Sequence, residues 1–153
     1  MTLKDHAKKY GAATEVFNEA VQLITPTNLD KADHAGWTPR QIVHHMADSE
    51  SQSAARLRRI LAQPGTEILS YDEEAWSECV ALGYRSFPIK NSLALFRASR
   101  ASSLEILENL NESELVKFAI HSDHGNFTLE DWLRVYSNHP IDHANQLLEA
   151  IAE

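Results

Sequence analysis

The chain has a single cysteine, Cys79, so it cannot form an intramolecular disulfide, and nothing points to an oxidising compartment. No apolar run approaches the ~20 residues needed to span a bilayer. The first ten residues, Met1 to Tyr10, are polar and lysine-bearing, without the apolar stretch of a secretion signal. A cytoplasmic protein is the expectation. Glycine and proline are scarce, five of each, and most of them mark the ends of helical segments. Basic residues are also few, 14 against 22 acidic, giving a formal net charge of -8. Nucleic-acid binding needs a basic surface that displaces counterions from phosphates, and the densest basic cluster here is only Arg56, Arg58 and Arg59. No nucleic-acid and no membrane partner is expected. The P-loop, the G-x-G-x-x-G turn and the G-x-S-x-G elbow are absent, and Cys79 has no basic or histidine neighbour in sequence to activate it.

What the chain does have is the balance of an ordinary globular domain: 153 residues, 43% hydrophobic and 24% charged. One domain over residues 1–153 is the reading, with roughly two-thirds of the extended surface buried on folding. Apolar residues recur at helical spacing in four long segments. The first runs from about Leu3 to Ile24 and stops before Pro26, because proline disfavours the α conformation in the residue preceding it. The second opens at Thr38-Pro39-Arg40-Gln41, an N-cap threonine, a proline at the first helical position and a glutamine three after the cap. It carries Ile42, Val43, Met46, Ala54, Leu57, Ile60 and Leu61, and Gln63-Pro64-Gly65 ends it. The third fits Ile89 to Leu110, and the fourth starts at Thr128-Leu129-Glu130-Asp131, a capping-box-like opening. Between the second and third lies a long aromatic connector, Thr66 to Phe87, which suggests a lid-like crossover. Residues 117–127 form a short extended connector turning at Ser122 to Gly125. With no convincing strands, the pattern is all-α, a four-helix bundle.

Histidines carry the chemistry. His139 and His143 stand four apart in the fourth helix, one above the other on the same face. Two imidazoles so placed can grip one divalent metal, and His45 from the second helix would complete a three-histidine site. Three protein ligands leave positions open for water or substrate, as in catalytic zinc. An incidental pair of histidines is the alternative. Pro140 sits between the two, removing a backbone hydrogen bond and crowding the Tyr136 carbonyl at about 3 kcal/mol or more. Such irregularities recur at functional sites, although a simple kink would also account for one. Of the adjacent His44 and His45, His45 lies about 60° from Ile42 on the helical wheel and His44 about 160° away. His45 is therefore the better ligand, and His44 is assigned to solvent or to a supporting role.

Glu50 falls in the middle of the apolar stripe of the second helix, near Met46 and Leu57. A carboxylate there is costly unless paired, metal-bound or protonated. It is read as a catalytic base or fourth ligand, against a buried hydrogen bond as the alternative. Asp48 and Asp142 could orient a liganding histidine from behind. Tyr71, Trp76 and Trp132 are the candidate walls of a substrate or cofactor pocket.

Three blocks resemble a known family. Trp37-Thr-Pro-Arg-Gln-Ile-Val-His-His-Met-Ala-Asp-Ser49 is similar to the signature of the DinB/YfiT-like, or bacillithiol-transferase-like, proteins. Tyr71-Asp-Glu-Glu-Ala-Trp76 resembles a further block of the YfiT branch, and Thr128-Leu-Glu, Tyr136 and His139-x-x-x-His143 resemble its C-terminal block. The resemblance implies an up-down-down-up four-helix bundle that binds one divalent metal through His45, His139 and His143. It further implies a metal-dependent hydrolase, or an S-transferase joining a low-molecular-weight thiol to a small electrophile, in a homodimer. Two departures from the YfiT pattern stand out: Glu50 occupies the place where that branch has a further histidine, and Pro140, Ile141 and Asp142 stand where it is histidine-rich. Zinc and nickel both suit three imidazoles, and affinity order does not choose between them. A small-molecule substrate is expected; a non-catalytic metal- or small-molecule-binding stress-response protein is the competing class.

Overall fold

A computed structural model describes residues 1–152. Four long helices dominate it: α1 (Leu3–Val21), α2 (Pro39–Ala62), α4 (Lys90–Glu108) and α5 (Leu129–Ala152), with a short α3 (Glu73–Glu78) in the crossover. Each expected helix is present. The Thr38 cap of α2 is a capping box: its Oγ1 accepts from the Gln41 amide, and Gln41 Oε1 accepts from the Thr38 amide. The opening of α5 is the same device with aspartate in place of glutamine. Asp131 Oδ2 accepts from the Thr128 amide, and Thr128 Oγ1 accepts from the Asp131 amide. α1 ends three residues earlier than its apolar pattern suggests. There the amides of Leu23 and Ile24 bond three residues back, to Ala20 and Val21, tightening the chain ahead of Pro26.

The direction of each helix follows from what its two ends bury. One apolar cluster takes Leu3, Ala7 and Tyr10 from the start of α1, Leu57 and Ile60 from the end of α2, Leu107 from the end of α4, and Leu129, Trp132, Leu133 and Tyr136 from the start of α5. The other takes Phe17 and Val21 from the end of α1, Ile42, Val43 and Met46 from the start of α2, Phe96 from α4, and Ala144 and Leu147 from late α5. So α1 and α5 run one way while α2 and α4 run the other, an up-down-down-up order. Parallel α2 and α4 require a connection that returns the full length of α2, ~36 Å for its 24 residues. That is why the crossover is long.

The expectation of no strands needs correction. A small sheet closes one end of the bundle: β1 (Glu67–Ile68) pairs parallel with β2 (Phe118–His121), which pairs antiparallel with β3 (Gly125–Thr128). Ile68, Ala119 and Phe127 face the first cluster. A two-residue strand carries no readable alternation, and its partner lies some fifty residues away, so the pairing is visible only in the fold. No helix among the described residues is long and apolar enough to cross a membrane.

Between the two apolar clusters the buried residues change character. Here α2 supplies His45, Ser49, Glu50 and Ser53, α4 supplies Arg100 and Ser103, and α5 supplies Ser137. His139, Pro140 and His143 lie at the same level of α5. The bundle therefore has a polar belt across its waist, and the candidate site lies in it.

Candidate metal centre

His45 is fixed on α2, two turns inside the capped end, and is 2% exposed. His139 and His143 face it from α5. The three Nε2 atoms converge: His45 to His143 is 3.1 Å, His45 to His139 is 3.4 Å, and His139 to His143 is 3.0 Å. A tetrahedral ion with Zn–N bonds of ~2.0–2.1 Å sets its ligand nitrogens about 3.3 Å apart. The triangle fits one ion with little adjustment. Among the described residues these three alone form a group of histidine, cysteine or carboxylate side chains close enough to share a metal.

The electrostatics agree with the geometry. Burial drives the His45 imidazole down to about 3, and the nearby His143 adds to the effect. Burial and its two histidine neighbours hold His139 well below its usual range. His143 is lowered too, by burial, although Gln146 works in the other direction. All three rings are neutral at pH 7, the form in which imidazole binds a metal. The Nδ1 atoms of His45 and His139 are buried without a hydrogen-bond partner. Paired nitrogens facing one another with orphaned nitrogens behind them are poor as a hydrogen-bond network, and they suit a shared ion.

His143 is held differently. Its Nδ1 lies 2.8 Å from Gln146 Oε1, and Gln146 Nε2 donates to Asp33 Oδ2 at 2.9 Å. Neither Gln146 nor Asp33 stands out in the sequence. The available signal was Gln146 three residues after His143, which places it on the same helix face. Asp48 and Asp142, which could have stood behind the histidines, hydrogen-bond to none of them: Asp48 accepts from the Tyr84 hydroxyl at 2.6 Å, and Asp142 is exposed.

Glu50 is buried, but it turns to Arg100 rather than to the histidine nitrogens. Its Oε1 lies 3.1 Å from Arg100 Nη1, both side chains are 1% exposed, and its other oxygen has no partner. Burial pushes the carboxyl up to about 6, against the pull of the guanidinium. Arg100 also donates to the carbonyls of Tyr136 and Tyr10, both at 2.7 Å, and to Thr14 Oγ1 at 2.8 Å. One side chain thus ties all four long helices at the level of the histidines. Sequence reading missed it, although Phe96, Arg100, Ser103 and Leu107 follow the core spacing of α4.

Trp132 is a core residue and not a pocket wall. It is fully buried, stacked 5.4 Å from Tyr10, and its indole N–H donates to the Ser53 carbonyl. Tyr71 and Trp76 pack on each other in the crossover, ring centres 4.6 Å apart, and the Tyr71 hydroxyl is buried without a partner. His44 is not solvated: its ring nitrogens lie 2.7 Å from Ser92 Oγ and 3.1 Å from the Phe87 carbonyl, pinning the end of the crossover to α2. Cys79 is exposed and outside the histidine group. Trp37 was not singled out, yet its indole meets His45 edge-on at 5.8 Å. It also lines a cavity of about 510 Å³ with Gln41, Glu73 and Arg85, a volume that suits a small molecule.

Comparison with known proteins agrees with this picture. The profile of the DinB superfamily matches residues 10–147. A Bacillus subtilis protein named "Putative metal-dependent hydrolase YfiT" is 34% identical, over 84% of this chain and 74% of that protein. A similarly named protein of Oceanobacillus iheyensis is 30% identical over 71% of this chain, which spans only 61% of that relative's length. The solved structure of B. subtilis YfiT, described as having "an unusual four-helix bundle topology", superposes with a TM-score of 0.85 at 29% identity, covering 97% of this chain and 85% of that one. TT2238, a four-helix bundle protein, shares the fold, with a TM-score of 0.65 at 21% identity, covering 96% of this chain and 98% of that one.

Proposed function

The chain belongs to the DinB superfamily, and on that premise we propose that it is a metal-dependent hydrolase acting on a small molecule, with one divalent ion held by His45, His139 and His143. The observation that supports this most directly is the convergence of three neutral imidazoles, His45 buried and His139 and His143 half-buried, with Nε2 atoms 3.0–3.4 Å apart. An ion there would supply a Lewis acid that brings the pKa of water toward ~7 and polarises a carbonyl. The chain's own part is to hold three lone pairs in one place and to leave the remaining coordination positions to water or substrate. Zinc and nickel are the ions we favour. A homodimer in the cytoplasm, without nucleic-acid or membrane partners, completes the reading. Tyr71 and Trp76, on the crossover, are the side chains we propose to meet the substrate. In this reading Glu50 serves Arg100, and its second oxygen is the remaining candidate for a proton acceptor.

Thiol S-transfer is the second reading, favoured by one feature. No carboxylate among the described residues joins the histidine group, so the one base offered for water, Glu50, stands outside it. A low-molecular-weight thiol would need none, because coordination itself ionises it.

Metal content of tag-free protein, measured by mass spectrometry for wild type and His139→Ala, tests the proposal. About one zinc or nickel per chain, lost in the variant, supports it and leads to paired assays of ester or amide hydrolysis and of thiol consumption with an electrophile. Wild-type protein that contains no metal and takes none up on titration would sink both enzymatic readings.

A further inference from the structure

A neutral imidazole carries one proton, and which ring nitrogen holds it decides whether the other can bind a metal. For His45 and His139 no group behind the ring settles that choice, since both Nδ1 atoms are buried without a partner. For His143 something does. The carboxylate of Asp33 is only 5% exposed, and it can accept but not donate. Its Oδ1 takes the amides of Ala35 and Trp37, at 2.9 and 2.8 Å, shaping the loop that leads into α2. Its Oδ2 takes Gln146 Nε2 at 2.9 Å. With its amino group committed to an acceptor, the Gln146 amide must present its oxygen to His143 Nδ1, 2.8 Å away. That oxygen requires a proton on Nδ1, which leaves the lone pair on Nε2, aimed at the other two histidines.

We propose that Asp33 is a positioning residue: acting through Gln146, it fixes His143 in the Nδ1–H tautomer and makes it the one ligand of the three that is set before the metal arrives. The role rests on the three-histidine reading given above. It is also a link across the fold, because it ties the loop that leads into α2 to late α5, and α2 and α5 carry the opposing ligands. Orientation of a liganding histidine from behind in this manner is generally worth 10- to 100-fold in metal affinity.

The design of the test follows from the donor and acceptor pattern. Asp33→Asn keeps an oxygen for the Ala35 and Trp37 amides, so the loop turn persists. It places an amino group against the Gln146 amino group, so the glutamine must reverse and offer a donor to His143. The ring proton then moves to Nε2. In the double variant Asp33→Asn/Gln146→Glu, the introduced carboxylate accepts from both sides and the Nδ1–H tautomer returns. Two measurements decide the matter: histidine ¹⁵N chemical shifts in metal-free protein, which report the tautomer, and zinc affinity by competition with a chromophoric chelator. The expected result is Nδ1–H in wild type, a shift to Nε2–H with about 10- to 100-fold weaker zinc binding in Asp33→Asn, and recovery of both in the double variant. Gln146→Met, which removes the acceptor and leaves Asp33 in place, should show mixed tautomers and weaker zinc even if Asp33→Asn does not fold. Unchanged tautomer and zinc affinity in Asp33→Asn or in Gln146→Met would overturn the proposal, as would a folded double variant that fails to recover. If wild type binds no zinc, the functional reading falls, and the nitrogen shifts still judge the tautomer assignment on their own.

Discussion

Arg100 donates to the Tyr136 carbonyl at 2.7 Å, and Tyr136 is the residue four positions before Pro140. That carbonyl is the one whose helical partner proline removes. A buried cation on α4 therefore replaces the missing amide of α5, one turn from His139. The proline between the two candidate ligands is tolerated because the neighbouring helix completes its hydrogen bond.

Removing the cation should be costly. Arg100→Met leaves the Glu50 carboxylate unpaired in the core and strips a donor from Tyr136, and a loss of about 3–5 kcal/mol in unfolding free energy is expected. Pro140→Ala returns an amide to the Tyr136 carbonyl, so it should recover part of that loss in the Arg100→Met background. A double-mutant cycle from urea unfolding reads the coupling, expected at about 0.5 kcal/mol or more. Strict additivity would show that arginine and proline act independently.

The histidines set an acid limit. Burial holds His45 at about 3, far below the ordinary 6.5, and lowers His139 and His143 as well. Below pH 6.5 the unfolded chain takes up protons that the folded chain refuses, so stability of the metal-free protein falls as pH drops from about 6.5 toward 3. Each such histidine contributes up to about 1.4 kcal/mol per pH unit. Glu50 acts in the opposite sense: with its carboxyl raised from 4.5 to about 6, the folded state binds that proton first, and stability is recovered as pH falls between those values. Three groups outweigh one. Urea unfolding at pH 7.5, 6.5 and 5.5 should show the decline, with a shallower slope in His45→Asn; equal stability at all three values would contradict the burial argument.

The capping box of α2 stands two turns before His45. Thr38→Ala should lower stability by about 1 kcal/mol, within the 0.5–2 typical of such caps, with the zinc stoichiometry of the folded protein unchanged. Thermal unfolding and metal content together check it. A variant with wild-type stability would mean that the cap is redundant with packing of the loop before α2.

The crossover is held to α2 by His44 and by the Tyr84 hydroxyl on Asp48. Tyr84→Phe removes a hydrogen bond to a charged group, expected to be worth about 1.5–3 kcal/mol. The local effect should exceed the global one, because few buried apolar residues anchor this segment. Limited proteolysis should cut faster within residues 69–87, and an unchanged cleavage rate would argue that packing alone retains the crossover.

Much of this protein is legible along the chain. Helix positions follow from apolar spacing and from two capping boxes, both local devices whose donors and acceptors lie within four residues. His139 and His143 share a face for the same local reason, and a polar residue at a core position marks Glu50 as buried and in need of a partner. Other features depend on which elements meet. Arg100 reads as an ordinary helix arginine until α1, α2 and α5 bring a carboxylate and two carbonyls to it. Trp132 reads as a wall until Tyr10 stacks on it. Asp33 and Gln146 lie 113 positions apart, and the β1–β2 pairing spans about fifty. Sequence alone set the helices and pointed to the three candidate histidines, because helical spacing fixes which side chains share a face. Tertiary structure alone chose the partners of Glu50, His44 and His143, because a buried hydrogen bond is made with whatever group the packing brings within 3 Å.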